Sequence, residues 1–168
     1  VEVGVQEGRF SAHILEHWQG RFLYSVDPWL RQDPARYADV ANLPQKHHDL
    51  FHRRTMARLA RYRDRSAIWR MMSAEASCRI DDDQLDFVYL DARHDVEGIR
   101  EDIELWFPKV GPGGLISGHD YLDGVLPQFG VFGVKTAVDQ FFGAMGLPVA
   151  TTRDDGPFIS WIVRKPVA

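Results

Sequence analysis

Two short polar clusters follow apolar runs in the middle of this chain. Asp91-Ala92-Arg93-His94-Asp95 comes directly after Phe87-Val88-Tyr89-Leu90, and Gly118-His119-Asp120-Tyr121 directly after Leu115-Ile116-Ser117. Carboxylates and imidazoles are the side chains that move protons and hold divalent cations near neutral pH. A third acid, Asp27, closes the run Phe22-Leu23-Tyr24-Ser25-Val26 and stands 23 residues after Gly4 (27 − 4). In nucleotide-binding α/β folds a carboxylate about 20 residues beyond the first glycine accepts hydrogen bonds from ribose hydroxyls. Upstream, Gly4 and Gly8 stand where a strand turns into a helix, and glycines there let a ligand approach the backbone closely. The spacing Glu2-x-Gly4-x-x-x-Gly8 has Gln6 in place of the middle glycine of the dinucleotide fingerprint, so a pyrophosphate would fit poorly.

These residues need a scaffold that brings strand ends together. Residues 1–5, 22–26, 67–72, 87–90 and 115–117 are short apolar, β-branched or aromatic runs that read as buried parallel strands. Between them lie amphipathic stretches: residues 11–18, then 46–63, and 96–107 with Val96, Ile99, Ile103 and Trp106 at near-helical spacing and Glu97, Glu101, Asp102 and Glu104 mostly outside. Gly111-Pro112-Gly113-Gly114 reads as a hard turn, and 134–145 as a last helix. Residues 149–152 and 157–164 read as a closing antiparallel pair around an Asp154-Asp155-Gly156 turn. The expected fold is a single α/β domain over residues 1–168, with a mostly parallel sheet ending in an antiparallel pair. Such sheets bind ligands outside the carboxyl ends of their strands, and both polar clusters stand there.

Two connections are long. Residues 29–45 and 122–133 lack sustained periodicity and carry Trp29, Tyr37, Phe129 and Phe132, as expected of a lid and a substrate wall. His48 and His52 have an i, i+4 spacing that can bind metal, but nothing nearby completes a site and solvated helix histidines are the better reading. Asp81-Asp82-Asp83 reads as a solvated loop, and Asp95 as a helix N-cap. The net charge of −4 argues against a nucleic-acid partner despite the basic stretch 53–70. A lone cysteine, Cys78, excludes an internal disulfide and fits a cytoplasmic setting, and no run reaches membrane-spanning length. The chain opens without Met, so upstream residues are expected. Long loops in so short a chain are also suited to burial against a second copy.

Taken in order, Val26-Asp27-Pro28-Trp29, Tyr89-Leu90-Asp91-Ala92-Arg93-His94-Asp95, Gly118-His119-Asp120-Tyr121 and Gly133-Val134-Lys135-Thr136-Ala137-Val138 resemble class I S-adenosylmethionine-dependent methyltransferases. The resemblance is to the small-molecule group related to catechol and macrocin O-methyltransferases, with a Rossmann-like three-layer sandwich. It implies that Glu2, Gly4 and Gly8 line the methionine end of the cofactor, that Asp27 takes the ribose hydroxyls, and that Ser73 meets the adenine. Asp91 would stand beside the transferred methyl. In catechol-type relatives an acid at the Asp91 position and a pair after the fifth strand hold a divalent cation, here Asp91, His119 and Asp120. His119 departs from the all-oxygen set that Mg²⁺ prefers and suits Mn²⁺ or Fe²⁺ better.

His94 is the expected general base, because an ordinary imidazole pKa of about 6.5 suits proton removal near neutrality. Capping the next helix or ligating the metal are its other readings. The expected activity is transfer of a methyl group to a hydroxyl of a small metabolite, assisted by Mg²⁺ or Mn²⁺. Its rivals are a metal-free transferase using His94 as base and a catalytically silent domain that binds cofactor or a partner through the same crevice. A nucleotide-dependent oxidoreductase is the weakest, given Gln6.

Overall fold

The computed structural model describes every residue except Arg36, Ala38, Asp155 and Ala168. In chain order the elements are β1 (Glu2–Val3), α1 (Arg9–His17), β2 (Leu23–Val26), α2 (Gln45–Leu59), β3 (Ser66–Trp69), α3 (Ser73–Ser77), β4 (Leu85–Leu90) and α4 (Val96–Trp106). They continue with β5 (Val110–Gly118), β6 (Asp123–Leu126), β7 (Gly130–Gly133), α5 (Val134–Ala144), β8 (Ala150–Thr151) and β9 (Trp161–Arg164). Seven strands form one sheet in the order β3-β2-β1-β4-β5-β9-β8. The first five are mutually parallel, and β9 runs antiparallel to both β5 and β8. The order reverses between β1 and β4, so a crevice opens at their carboxyl ends.

Apolar spacing decides the layering. On α4, Ile99, Ile103 and Trp106 recur on one stripe, and on α5 Val134, Ala137, Val138 and Phe142 do the same. Both stripes bury against Val3, Val88, Leu90, Ile116 and Trp161 on one face of the sheet. A smaller cluster of Ile14 and Leu15 from α1, Leu23 from β2 and Leu59 from α2 covers the other face. The result is the expected three-layer α/β sandwich. Asp95 caps α4 as expected, its carboxylate accepting from the Gly98 amide at 2.9 Å. Replacing it with alanine should cost about 1 kcal/mol, read as a lowered urea midpoint with unchanged slope.

Several boundaries differ from the sequence reading. The Gly111-Pro112-Gly113-Gly114 run is not a free turn but the irregular start of β5, with a register shift against β4 between Leu85 and Phe87. Gly113 takes φ +78° there, which a glycine adopts without strain. Residues 122–133 are no structureless wall: β6 and β7 pair as an antiparallel hairpin. The last strand begins at Trp161 rather than at 157, and the centre of its expected turn, Asp155, lies outside the described residues. Helix α3, only five residues long, was too short to show a period. Among the described residues no helix is long and apolar enough to cross a membrane.

Candidate active site

The carboxyl ends of β1, β2 and β4 meet in a cavity of about 580 Å³, within the size range of small-molecule sites. At its floor the chain leaves β1 through Gly4, with φ +87°. Asp27, at the end of β2, staples this turn. One carboxylate oxygen accepts from the amides of Val5 at 3.0 Å and Gln6 at 2.9 Å, and the other from the amide of Trp29 at 2.6 Å. Burial pushes the Asp27 carboxyl up from its ordinary value, and the three amides oppose that shift. Asp27 also lines the cavity, so the residue that holds the turn is the one expected to bind the ribose. Gln6, where a glycine was missing from the fingerprint, itself adopts φ +49°.

Glu2 lies on the cavity lining as expected, but it is buried and accepts from the Ser11 hydroxyl, which in turn is 2.7 Å from the Ser25 hydroxyl. Burial drives its pKa up to about 8. Gly8 does not line the cavity. It caps α1 with φ +70°, and a Cβ there would stand 2.8 Å from Thr55 Cγ2, so its role in the structure is close packing of α1 on α2. Ser73 reaches the cavity wall from the start of α3, but its hydroxyl is committed: it donates to Asp102 and accepts from Trp106 Nε1 at 2.8 Å. Asp102, on α4, is therefore an acid on the cavity wall that sequence reasoning passed over as an outward charge of α4.

Burial raises the Asp102 pKa from 3.8 to about 6, against the hydrogen bond from Ser73. The folded chain then keeps a proton that the unfolded chain has released. Stability from this group is complete below pH 3.8 and lost as pH rises through 6. An Asp102→Asn variant should gain thermal midpoint relative to wild type as pH is raised from 4 to 7; a constant offset would contradict this titration.

At the other end of the cavity stand Asp91, after β4, His94 in the following turn, and Asp120, after β5. His94 Nε2 is 3.0 Å from one oxygen of Asp120 and 3.9 Å from Asp91, while Nδ1 is 2.8 Å from Asp39. The other oxygen of Asp120 lies 3.2 Å from His119 Nδ1. Among the described residues, Asp91, His94 and Asp120 form a group whose potential ligand atoms all lie within 4.8 Å of one another. His119 is not in that group, so of the expected metal set the structure brings together Asp91 and Asp120, with His94 in place of His119. Two carboxylates and one imidazole suit Mn²⁺ or Fe²⁺ and fit a divalent cation.

The proton balance of His94 also differs from expectation. Burial alone would lower its pKa, but hydrogen bonds to Asp120, Asp39 and Asp91 outweigh it and push the pKa up to about 11. Asp120, partly buried, is held well below the ordinary carboxylate range by His119 and His94. In this arrangement His94 is an imidazolium near neutrality and has no lone pair to accept a proton. A cation among the carboxylates would displace that proton.

The cavity roof comes from the two long connections. Residue Trp29 is fully buried with φ +42°, donates from Nε1 to the Gln6 carbonyl at 2.7 Å and packs on His52 with ring centres 4.7 Å apart and planes tilted by 50°. His48 faces the cavity instead, so the two histidines point to different surroundings and do not converge. Tyr37, Phe129, Phe132 and Phe158 complete an aromatic wall, of which Phe158 lay in a stretch read as strand. Four non-glycine residues among those described have positive φ, and three of them, Gln6, Trp29 and Asp120, line this cavity. Such costly conformations persist where surrounding structure fixes them, and they cluster at functional sites.

Comparison with known proteins bears on the family and the fold. A family model described as a methyltransferase domain matches residues 1–121. An uncharacterized protein of Sinorhizobium fredii, y4gI, is 28% identical over 97 residues, which is 58% of this chain and 10% of that protein. This chain thus spans a small fraction of that curated relative. An O-methyltransferase family protein from Burkholderia thailandensis has a similar structure, with TM-score 0.68 and 16% identity over 99% of this chain and 50% of that one. The N-methyltransferase NodS from Bradyrhizobium japonicum WM9 follows at 0.64, with 17% identity, covering 98% and 84%. The O-methyltransferase from Bacillus cereus, solved in complex with SAH, gives 0.63 and 14%, covering 98% and 72%. At these identities the structures establish a shared fold. The family model, in contrast, takes in Asp27, Asp91, His94 and Asp120 together, and the chain belongs to the methyltransferase-domain family, with the fold of the class I enzymes.

Proposed function

We propose that this chain is an S-adenosylmethionine-dependent O-methyltransferase acting on a hydroxyl of a small acceptor, with a divalent cation held at Asp91, His94 and Asp120. The observation that carries the proposal is that one cavity has a ribose-type carboxylate, Asp27, at one end and a two-carboxylate, one-imidazole group at the other. The SAH complex of the Bacillus cereus relative supports the choice of cofactor. S-adenosylmethionine supplies an activated methyl group, and a cation of this class lowers the pKa of a bound hydroxyl.

The chain's own residues would divide the remaining work. Asp27 accepts from a ribose hydroxyl at the one lone pair its three amide contacts leave open, while those contacts keep the Gly4 turn rigid. Gly4 leaves backbone open to the cofactor, and Asp102 with Ser73 forms the polar patch at the base end. Asp91, His94 and Asp120 orient the acceptor oxygen, and the aromatic roof excludes water, so alignment rather than new bonding is the protein's main contribution. The exposed Cys78 and the net charge of −4 support a cytoplasmic protein without a polyanionic partner.

The test is the thermal midpoint with S-adenosylmethionine, alone and with Mn²⁺, Mg²⁺ or a chelator. Cofactor at ten times its Kd should add about 1.4 kcal/mol of stability, and metal should add to that. A rise indifferent to metal would remove the cation from the proposal, and no rise at millimolar cofactor would overturn the proposal.

A further inference from the structure

One contact of the metal group comes from outside the strand ends. Asp39, in the long connection after β2, turns its carboxylate inward, with its side chain only 2% exposed. One oxygen is 2.8 Å from His94 Nδ1, and the other accepts from the Ala41 amide at 2.7 Å. Both oxygens are therefore committed, and the second contact fixes the direction of the first.

The backbone on either side of this pair hangs from a single strand. Asp39 makes an antiparallel bridge to Gly130, the first residue of β7, and the Val40 amide donates to the Phe129 carbonyl at 3.1 Å. His94 is tied to the other end of β7, where the Gly133 amide donates to its carbonyl at 2.8 Å. Between these two ties Phe132 stacks on the imidazole, with ring centres 5.0 Å apart and planes 20° from parallel. The ring is held by its face through Phe132 and by one edge through Asp39. Its other edge, Nε2, is presented to Asp91 and Asp120.

We propose that Asp39 is a positioning residue: it holds His94 through Nδ1 so that Nε2 is offered to a divalent cation shared with Asp91 and Asp120. This inference rests on the metal half of the proposed function and adds a residue to it from a different part of the chain. A carboxylate on the far nitrogen of a ligating histidine sets its tautomer and ring orientation and raises its basicity, and loss of such a partner weakens metal binding about 10- to 100-fold. An imidazole turned about its Cβ–Cγ bond would present carbon instead of nitrogen to the carboxylates.

The experiment compares Mn²⁺ affinity, from the electron paramagnetic resonance signal of free Mn²⁺, with S-adenosylhomocysteine affinity in the same samples. Four proteins are used: wild type, Asp39→Asn, Asp39→Glu and Gln45→Ala. The last removes another tie of the same connection, the Gln45 side-chain amide donating to the Trp29 carbonyl at 2.9 Å and accepting from the Arg31 amide at 2.9 Å. Asp39→Asn is expected to weaken Mn²⁺ by about 10- to 100-fold while S-adenosylhomocysteine binding stays near wild type. Asp39→Glu, which restores the charge, should recover part of the loss, and Gln45→Ala should leave Mn²⁺ affinity unchanged.

Equal Mn²⁺ affinity in wild type and Asp39→Asn would overturn the inference and leave the metal reading standing. Equal weakening in Asp39→Asn and Gln45→Ala would overturn it too, by assigning the effect to the connection and not to the carboxylate. A wild type that binds S-adenosylhomocysteine but no Mn²⁺ would remove the metal reading itself, and the inference with it. Should Asp39→Asn fold poorly, the contrast between Asp39→Glu and Gln45→Ala decides the same question.

Discussion

Replacing Asp120 with alanine is expected to weaken Mn²⁺ binding by at least ~100-fold, the upper end of what loss of an outer partner costs, while S-adenosylhomocysteine affinity changes by no more than a few-fold. Asp120 is the residue on which the group converges, with one oxygen toward His94 at 3.0 Å and the other toward His119 at 3.2 Å. It holds this position at φ +55°, a conformation non-glycine residues rarely adopt, so a neighbour in sequence cannot substitute for it. Asp27 is held by the amides of Val5, Gln6 and Trp29, none of which depends on Asp120, and this is what protects cofactor binding. The two affinities, titrated on one protein, are the measurement. If both fell together, Asp120 would be acting on the shape of the whole cavity and the division of labour proposed for its two ends would be wrong.

The second large effect is expected at the floor. Gly4→Ala should destabilise the fold by ~2–5 kcal/mol, adding the left-handed backbone penalty for a side chain, ~1–2 kcal/mol, to an overpacking cost of ~1–3 kcal/mol. A Cβ at Gly4 would stand 1.9 Å from the Asp91 carbonyl oxygen and 2.7 Å from the Ala92 amide nitrogen. Those are backbone atoms of the adjacent strand end, so no rotamer change relieves the clash. The strand end itself must move away, at the point where β1 and β4 begin to diverge. Urea unfolding with an unchanged slope would give the loss directly. A change below ~0.5 kcal/mol, the usual range for an inconsequential surface substitution, would mean that the turn yields without cost. Surviving variant protein should also bind S-adenosylhomocysteine poorly, because Asp91 moves with β4.

Much of this architecture was legible because its signals are local. The run Phe87-Val88-Tyr89-Leu90 had to be a buried strand, and the polar residues after it had to face the crevice, since a parallel sheet covered on both faces leaves only strand ends open. Asp95 was read as a cap from one residue type at one position, and the cap is there. The antiparallel close of the sheet followed from two apolar runs too near each other for a crossover. What escaped was long-range or aperiodic. Asp39 lies in a stretch without helical or strand rhythm, and nothing in its neighbours announces that it meets His94, 55 positions away. Asp102 looked like one more solvent-facing charge on α4, and only the fold places Ser73 and Trp106 against it. The exchange of His119 for His94 in the candidate metal group had a comparable origin. The resemblance pointed to the pair His119 and Asp120, whereas the chain after β4 brings His94 within reach of Asp91 and Asp120. His94 was assigned an ordinary pKa because two of its three carboxylate neighbours, Asp39 and Asp120, come from other segments of the chain.

The roof has a consequence for how this domain can change its preferences. The connection after β2 and the β6–β7 hairpin are stitched to each other by the Asp39–Gly130 bridge and the Val40–Phe129 hydrogen bond, and they carry most of the aromatic wall. Neither is a strand of the seven-stranded sheet. They behave as two halves of one cassette: grafted together from a relative, they would carry a new acceptor preference onto an unaltered floor, whereas a graft of either half alone would tear the seam and take the grip on His94 with it.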